Sequence, residues 1–236
     1  MEPQILNKRA SFFPNGIISY DAITVSMLSN LLSEFNLLPS FNNSISFQIG
    51  PNGAAESKKV KTLALNSQDG SVRANLMPDR IDIFSLRNDS FSDFSSLATR
   101  LADSIIALWK MEFNRMALCA AVFYEVPDEN LRSVYSKVFN NTHEEDPIEW
   151  SSRKVTRDII TQDAYQIEIN NVIIVSKNAV QMNNAPLKKG IVLELDINTV
   201  VGTSVGDIMS TKEPFFSNAS SLIDSTINEY LSIVSE

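Results

Sequence analysis

Glu194 and Asp196 stand two residues apart in Leu193-Glu194-Leu195-Asp196-Ile197. Residues two apart in an extended strand share a face, so both carboxylates point the same way. Such a pair can hold a hard divalent cation or work as an acid and a base. It is also the pattern of the wet side of an amphipathic strand. Asp82, in Ile81-Asp82-Ile83-Phe84, has the same alternating context. Asp82, Glu194 and Asp196 are the candidate acid site.

Other stretches imitate active sites without completing them. Gly202-Thr203-Ser204-Val205-Gly206 has the spacing of a nucleophile elbow, which exposes a serine oxygen on a strand-to-helix turn. That order needs a histidine after the serine, and the single histidine, His143, precedes it. Cys119 and His143 would form a thiol–imidazole dyad, but Cys119 lies in the apolar run MALCAAVFY, where burial leaves a thiol inert. Glu56-Ser57-Lys58 resembles the E-x-K of metal-dependent nucleases. It falls in what composition reads as a loop, with Asp21 as its nearest upstream acid. There is no phosphate-cradling glycine loop, dinucleotide fingerprint or cysteine cluster, so no cofactor is expected and most zinc chemistry is excluded.

His143 itself lies among Glu144, Glu145, Asp146 and Glu149 in FNNTHEEDPIEW, residues 139–150. Asn-Asn and a proline mark this stretch as a chain-reversing connection, and its acids favour the imidazolium. His143 is a candidate partner contact, together with Trp150, Phe215 and Phe216. Aromatic residues anchor interfaces, and they also pack cores.

Composition narrows the classes. The 236 residues carry a net charge of −8, 44% hydrophobic residues and one cysteine. That is a chain able to bury a core. Its acidity disfavours the usual basic nucleic-acid footprint. The tight basic clusters are Lys58-Lys59-Val60-Lys61 and Lys188-Lys189. A lone cysteine, no apolar run long enough for a bilayer and no signal core at the N-terminus give the expectation of a cytoplasmic protein without a membrane span.

The elements that must position these residues fall into two similar sets. Residues 91–113 place Leu97, Leu101, Ile105 and Leu108 at helical spacing behind a Ser92 or Asp93 cap. Residues 215–236 repeat the theme. Phe91 to Leu97 aligns with Phe216 to Leu222 at five identical positions of seven. Each half is expected to open with a strand, residues 16–20 and 115–126, followed by a short helix, residues 25–35 and 129–139. Three strand-like segments follow in each half: 44–49, 60–66 and 72–86, the last passing through the turn Met77-Pro78-Asp79, then 154–160, 165–176 and 191–199. The fold expected is α+β, two β-α-β-β-β-α repeats spanning 1–113 and 114–236. Antiparallel pairing follows from the short turns, with a long helix on each sheet.

The run Arg115 to Tyr124, RMALCAAVFY, and the LxLDI-like strand Leu193 to Ile197 before a C-terminal helix carry a resemblance. The layout is similar to a sporadically distributed family of uncharacterised prokaryotic proteins of about this length. Their first long helix leads into a Leu-rich strand ending Arg-Tyr-Ile-Asn, an ending that this chain lacks. The resemblance implies no catalytic residues. A patchy distribution implies exchanged genes of the kind that serve anti-phage defence.

The reading of function is therefore a non-catalytic interaction subunit or adaptor of a larger assembly, with protein partners or self-association. One alternative is a metal-dependent hydrolase acting on nucleotides or nucleic acid through the three acids. Another is a small-ligand sensor using a concave face between the halves.

Overall fold

The computed structural model describes residues 2–49, 55–140, 147–162, 165–181, 186–202 and 210–235, with backbone alone at 42–49, 55–61, 162 and 165. The chain runs β1 (Gln4–Pro14), α1 (Ala22–Leu31), β2 (Leu37–Ile49), β3 (Ala55–Ser67), β4 (Val72–Met77), β5 (Arg80–Ser85) and α2 (Phe91–Ala107). It continues through β6 (Phe113–Glu125), α3 (Asp128–Phe139), β7 (Ser151–Gln162), β8 (Tyr165–Val180), β9 (Lys188–Thr199) and α4 (Lys212–Ser235). Among the described residues nine strands form one sheet in the order β2-β3-β4-β5-β1-β6-β9-β8-β7, each neighbour antiparallel to the next. The fold is α+β.

Local chemistry explains the helices. The Asp21 carboxylate accepts from the Thr24 amide at 2.8 Å and starts α1; the Ser90 hydroxyl accepts from the Asp93 amide at 3.0 Å and starts α2. Phe94, Ala98, Leu101 and Ile105 then form one stripe of α2, all 0% exposed. Burying a large apolar side chain contributes roughly 1.5–3 kcal/mol. Asn140, in the left-handed region at φ 47°, ends α3; Asn36, at φ 53°, ends the 3-10 turn Ser33–Phe35 that follows α1.

Both long helices pack on the same sheet face. The Phe12 ring of β1 meets Phe216 of α4 at 5.3 Å, and the Tyr124 hydroxyl of β6 donates to the Ile227 carbonyl of α4 at 2.8 Å. The Ser95 and Ser220 hydroxyls join α2 to α4 at 3.0 Å. The main core lies in this layer.

Several elements differ from the sequence expectation. The first strand is β1, not residues 16–20. Lys8 and Arg9 interrupt its apolar pattern, yet Lys8 is 0% exposed. Its ammonium donates to the Arg87 carbonyl at 3.1 Å, to the Asp89 carbonyl and to the Asp89 carboxylate, above the Phe91 ring. Residues 37–43, which lie between the expected helix 25–35 and the expected strand 44–49, begin β2, and Glu56-Ser57-Lys58 lies in β3 and not in a loop. The segment 72–86 turns at Pro78-Asp79 as expected, and its two arms are separate strands, β4 and β5, so among the described residues the first half has one strand more than the second. α2 stops at Ala107, and Lys110 takes φ 52° before β6.

Candidate functional site: the open face of the sheet

Alternation sends one half of each strand's side chains away from the helices. On β1 these are Asn7, Arg9, Ser11 and Phe13; on β6 they are Arg115, Ala117, Cys119 and Ala121. The register sets Arg9 beside Cys119 and Cys119 beside Asp196, with Asn7, Ala121 and Glu194 in the next row. Small side chains on β6 leave a depression of about 690 Å³. Arg9, Arg115, Arg153, Glu194 and Asp196 supply its charges, and Asn7, Asn170 and Asn198 its amides.

The three acids of the sequence reading all reach this face, but the fold does not gather them. Asp82 is on β5, while Glu194 and Asp196 are on β9, with β1 and β6 between. Three strand spacings amount to roughly 14 Å. Asp82 is 3% exposed and already engaged, accepting from the Ser11 hydroxyl at 2.6 Å and pairing with the Arg80 Nε at 3.0 Å. Asp196 accepts from the Asn198 amide at 3.1 Å, and Asn198 in turn accepts from Asn170 at 3.2 Å. Among the described residues no three His, Cys, Asp or Glu side chains group as metal ligands would.

Arg9 stands between the acids. Burial works against its charge, but the Cys119 sulfur and the carboxylates of Asp82 and Asp196 outweigh that and raise its pKa. Its Nη2 donates to Cys119 Sγ at 3.2 Å, and its Nε is buried without an acceptor. Burial pushes the Cys119 thiol up to about 11, with Asp196 adding to the shift and Arg9 opposing it. A thiol so placed stays protonated and is a poor nucleophile at neutral pH. Arg115 stacks on Phe13 at 4.9 Å, with Arg80 at 5.9 Å from the same ring. Among the described residues neither Arg115 nor Arg153 has a carboxylate partner.

The candidate contacts distribute differently. Phe215 and Phe216 are in the first turn of α4, 0% and 3% exposed, and pack in the core; they offer no contact surface. Trp150 is 9% exposed, packed on Tyr135 and Phe139 at 5.9 and 5.7 Å. Burial wins in each case because an aromatic ring has more apolar area to remove from water than a loop contact needs. His143 and Ser204 lie outside the described residues, and so does the side chain of Glu56. Lys188 and Lys189 are paired with Glu125 at 2.6 Å and Asp128 at 2.8 Å. Among the described residues no helix is long and apolar enough to cross a membrane.

The arginines of the depression escaped the sequence reading. Their signal was present in parity: Arg115 is two residues before Ala117 and four before Cys119, on the same face. The Arg9 side of the depression needed the β1–β6 pairing, which is a long-range fact. No family model and no curated protein matches the chain.

Proposed function

We propose that this protein is a non-catalytic binding subunit and that the open sheet face is its recognition surface. The observation that carries the reading is the depression itself. In a chain of net charge −8, three arginines and two acids line it, and among the described residues Arg115 and Arg153 have no carboxylate partner. A guanidinium presents a rigid fork to carboxylates and is weakly hydrated, which suits a partner's acidic segment. Asp196 is held by Asn198, and Asp82 beyond the depression by Ser11 and Arg80, an arrangement that favours positioning over proton transfer. Native pull-down with the wild-type chain and with Arg115→Glu tests the reading. A partner held by the first and lost by the second supports it; a wild-type chain recovered alone speaks against it. A melting point raised by phosphate or nucleotides without any protein partner would replace it with the small-ligand sensor. A role in anti-phage defence rests on the family resemblance, and unchanged phage plating after gene deletion would remove it.

The two halves, 1–113 and 114–236, are read as copies related by a pseudo-twofold axis. What supports this is self-contact. Ser95 and Ser220 occupy equivalent positions in the aligned capping segments, and their hydroxyls meet at 3.0 Å. Across a twofold axis, equivalent residues meet their own counterparts. β1 and β6, the opening strand of each half, pair antiparallel, as such an axis requires. Ser96 and Ser221, also equivalent, each donate to the carbonyl four residues back, at 3.0 and 3.1 Å. On this reading the depression is the product of divergence. β1 fills its side of the axis with Arg9 and Phe13, whereas β6 keeps Ala117, Cys119 and Ala121.

A further inference from the structure

We infer that β7 is an interface with a second copy of this chain, formed by antiparallel pairing about Thr156. Among the described residues β7 is the last strand of the sheet, and nothing pairs with its outer edge. Exposed edges of this kind are ordinarily blunted by proline, bulges, shortness or charged side chains. β7 has none of the first three, and its charges, Arg153, Lys154, Arg157 and Asp158, are of both signs. It runs 12 residues without proline or glycine, and its register with β8 is unbroken from Ser151 to Gln162. The opposite edge, β2, carries Pro39. Val155 and Ile159 of β7 are 46% and 60% exposed.

The partner is identified by charge. Among the described residues, neither Lys154 nor Asp158 has an ion-pair partner in its own chain. Centring an antiparallel pair on Thr156 sets Lys154 of each copy opposite Asp158 of the other, so two complementary pairs form at once. Pairing must keep side chains on a common face, so the alternatives shift the centre by one residue at a time. Centring on Val155 opposes Arg153 to Arg157. Centring on Arg157 opposes that arginine to itself, and centring on Lys154 or Asp158 does the same for those charges. Of the registers centred on residues 154–158, the Thr156 one alone avoids like charges, which destabilise directly opposed positions, and of all registers it alone opposes Lys154 to Asp158. It also sets Ile159 opposite Arg153 and Arg157 opposite Val155. Arg153 and Val155 line the depression, so the second copy's guanidinium extends its rim.

The full chain at micromolar concentration is expected to have twice its 26.3 kDa mass in light scattering. Lys154→Glu and Asp158→Lys should each weaken the dimer at least tenfold, and the double charge swap should restore it. All three variants should melt as the wild type does when compared as monomers, because both side chains are exposed. Thr156→Cys should give a disulfide-linked dimer under mild oxidation, since only this register brings residue 156 against itself. Cys119 is buried and does not compete. A monomeric wild type, a failed rescue by the double swap, or no cross-link at residue 156 would each overturn the inference. These variants leave Arg115 intact, so failure here is separate from failure of the recognition surface.

Discussion

Removing the Asp89 carboxylate should destabilise the protein far more than removing the lysine that it serves. The Lys8 side chain is 0% exposed, and among the described residues Asp89 is the carboxylate bonded to it, with Asp224 near enough to interact by charge alone; the other acceptors are the Arg87 and Asp89 carbonyls. Breaking a buried pair from one side leaves an uncompensated charge, which costs about 3–5 kcal/mol. The Asp89 side chain is 23% exposed and two carbonyls remain, which places Asp89→Ala at the lower end, about 3 kcal/mol. For a chain of this length that lowers the melting point by roughly 6–12 °C. Lys8→Met removes the charge and keeps the length, and replacing buried ions by apolar groups is near neutral. The double variant should therefore recover most of the loss. Calorimetric melts of the three variants decide it. An Asp89→Ala protein melting within a degree of wild type would refute the claim that Lys8 is buried as a charge.

Three further outcomes follow from particular contacts. Cys119 has its pKa raised from 9.0 to about 11. Its unfolded form ionises first, so the stability it contributes is whole below pH 9 and is lost as pH rises towards 11, about 2–3 kcal/mol in all. Urea melts at pH 8 and pH 10.5 should show this fall in the wild type and less of it in Cys119→Ala. At Gly190, a Cβ would stand 2.0 Å from the Tyr124 carbonyl and 2.9 Å from the Phe123 ring. Gly190→Ala should therefore cost at least about 2 kcal/mol by forcing β6 and β9 apart. Ser95→Ala and Ser220→Ala should each cost about 1 kcal/mol, while the double variant costs less than their sum, because one substitution leaves the other hydroxyl unpaired.

The long helices and β6 were legible in the sequence because their signals are local. α2 and α4 carry helical stripes, and β6 is apolar on both faces. β1 was not legible, because Lys8 and Arg9 look like solvated charges until Asp89 and Cys119 are placed beside them. The same holds for the start of β2, where Pro39 and Asn42-Asn43 suggest a turn and the edge position tolerates both. For the acids, alternation correctly gave the face of Asp82, Glu194 and Asp196. It could not give their separation, because the strand order that puts β1 and β6 between them is set by long-range pairing. Phe215 and Phe216 illustrate the converse. Residue type alone left interface contact and core packing both open for them; the helix begins at Lys212 and carries both into the core.

The account's central claim is that the arginine-lined face binds a partner. Its most direct test is the native mass of the chain purified from its own cells, with and without Arg115→Glu. The prediction is a complex containing a second protein for the wild type, and loss of that protein with an unchanged melting point for the variant. Arg115 pairs with no carboxylate among the described residues, so its replacement leaves no buried charge behind. A variant that retains the same complex at the same stoichiometry would contradict the claim.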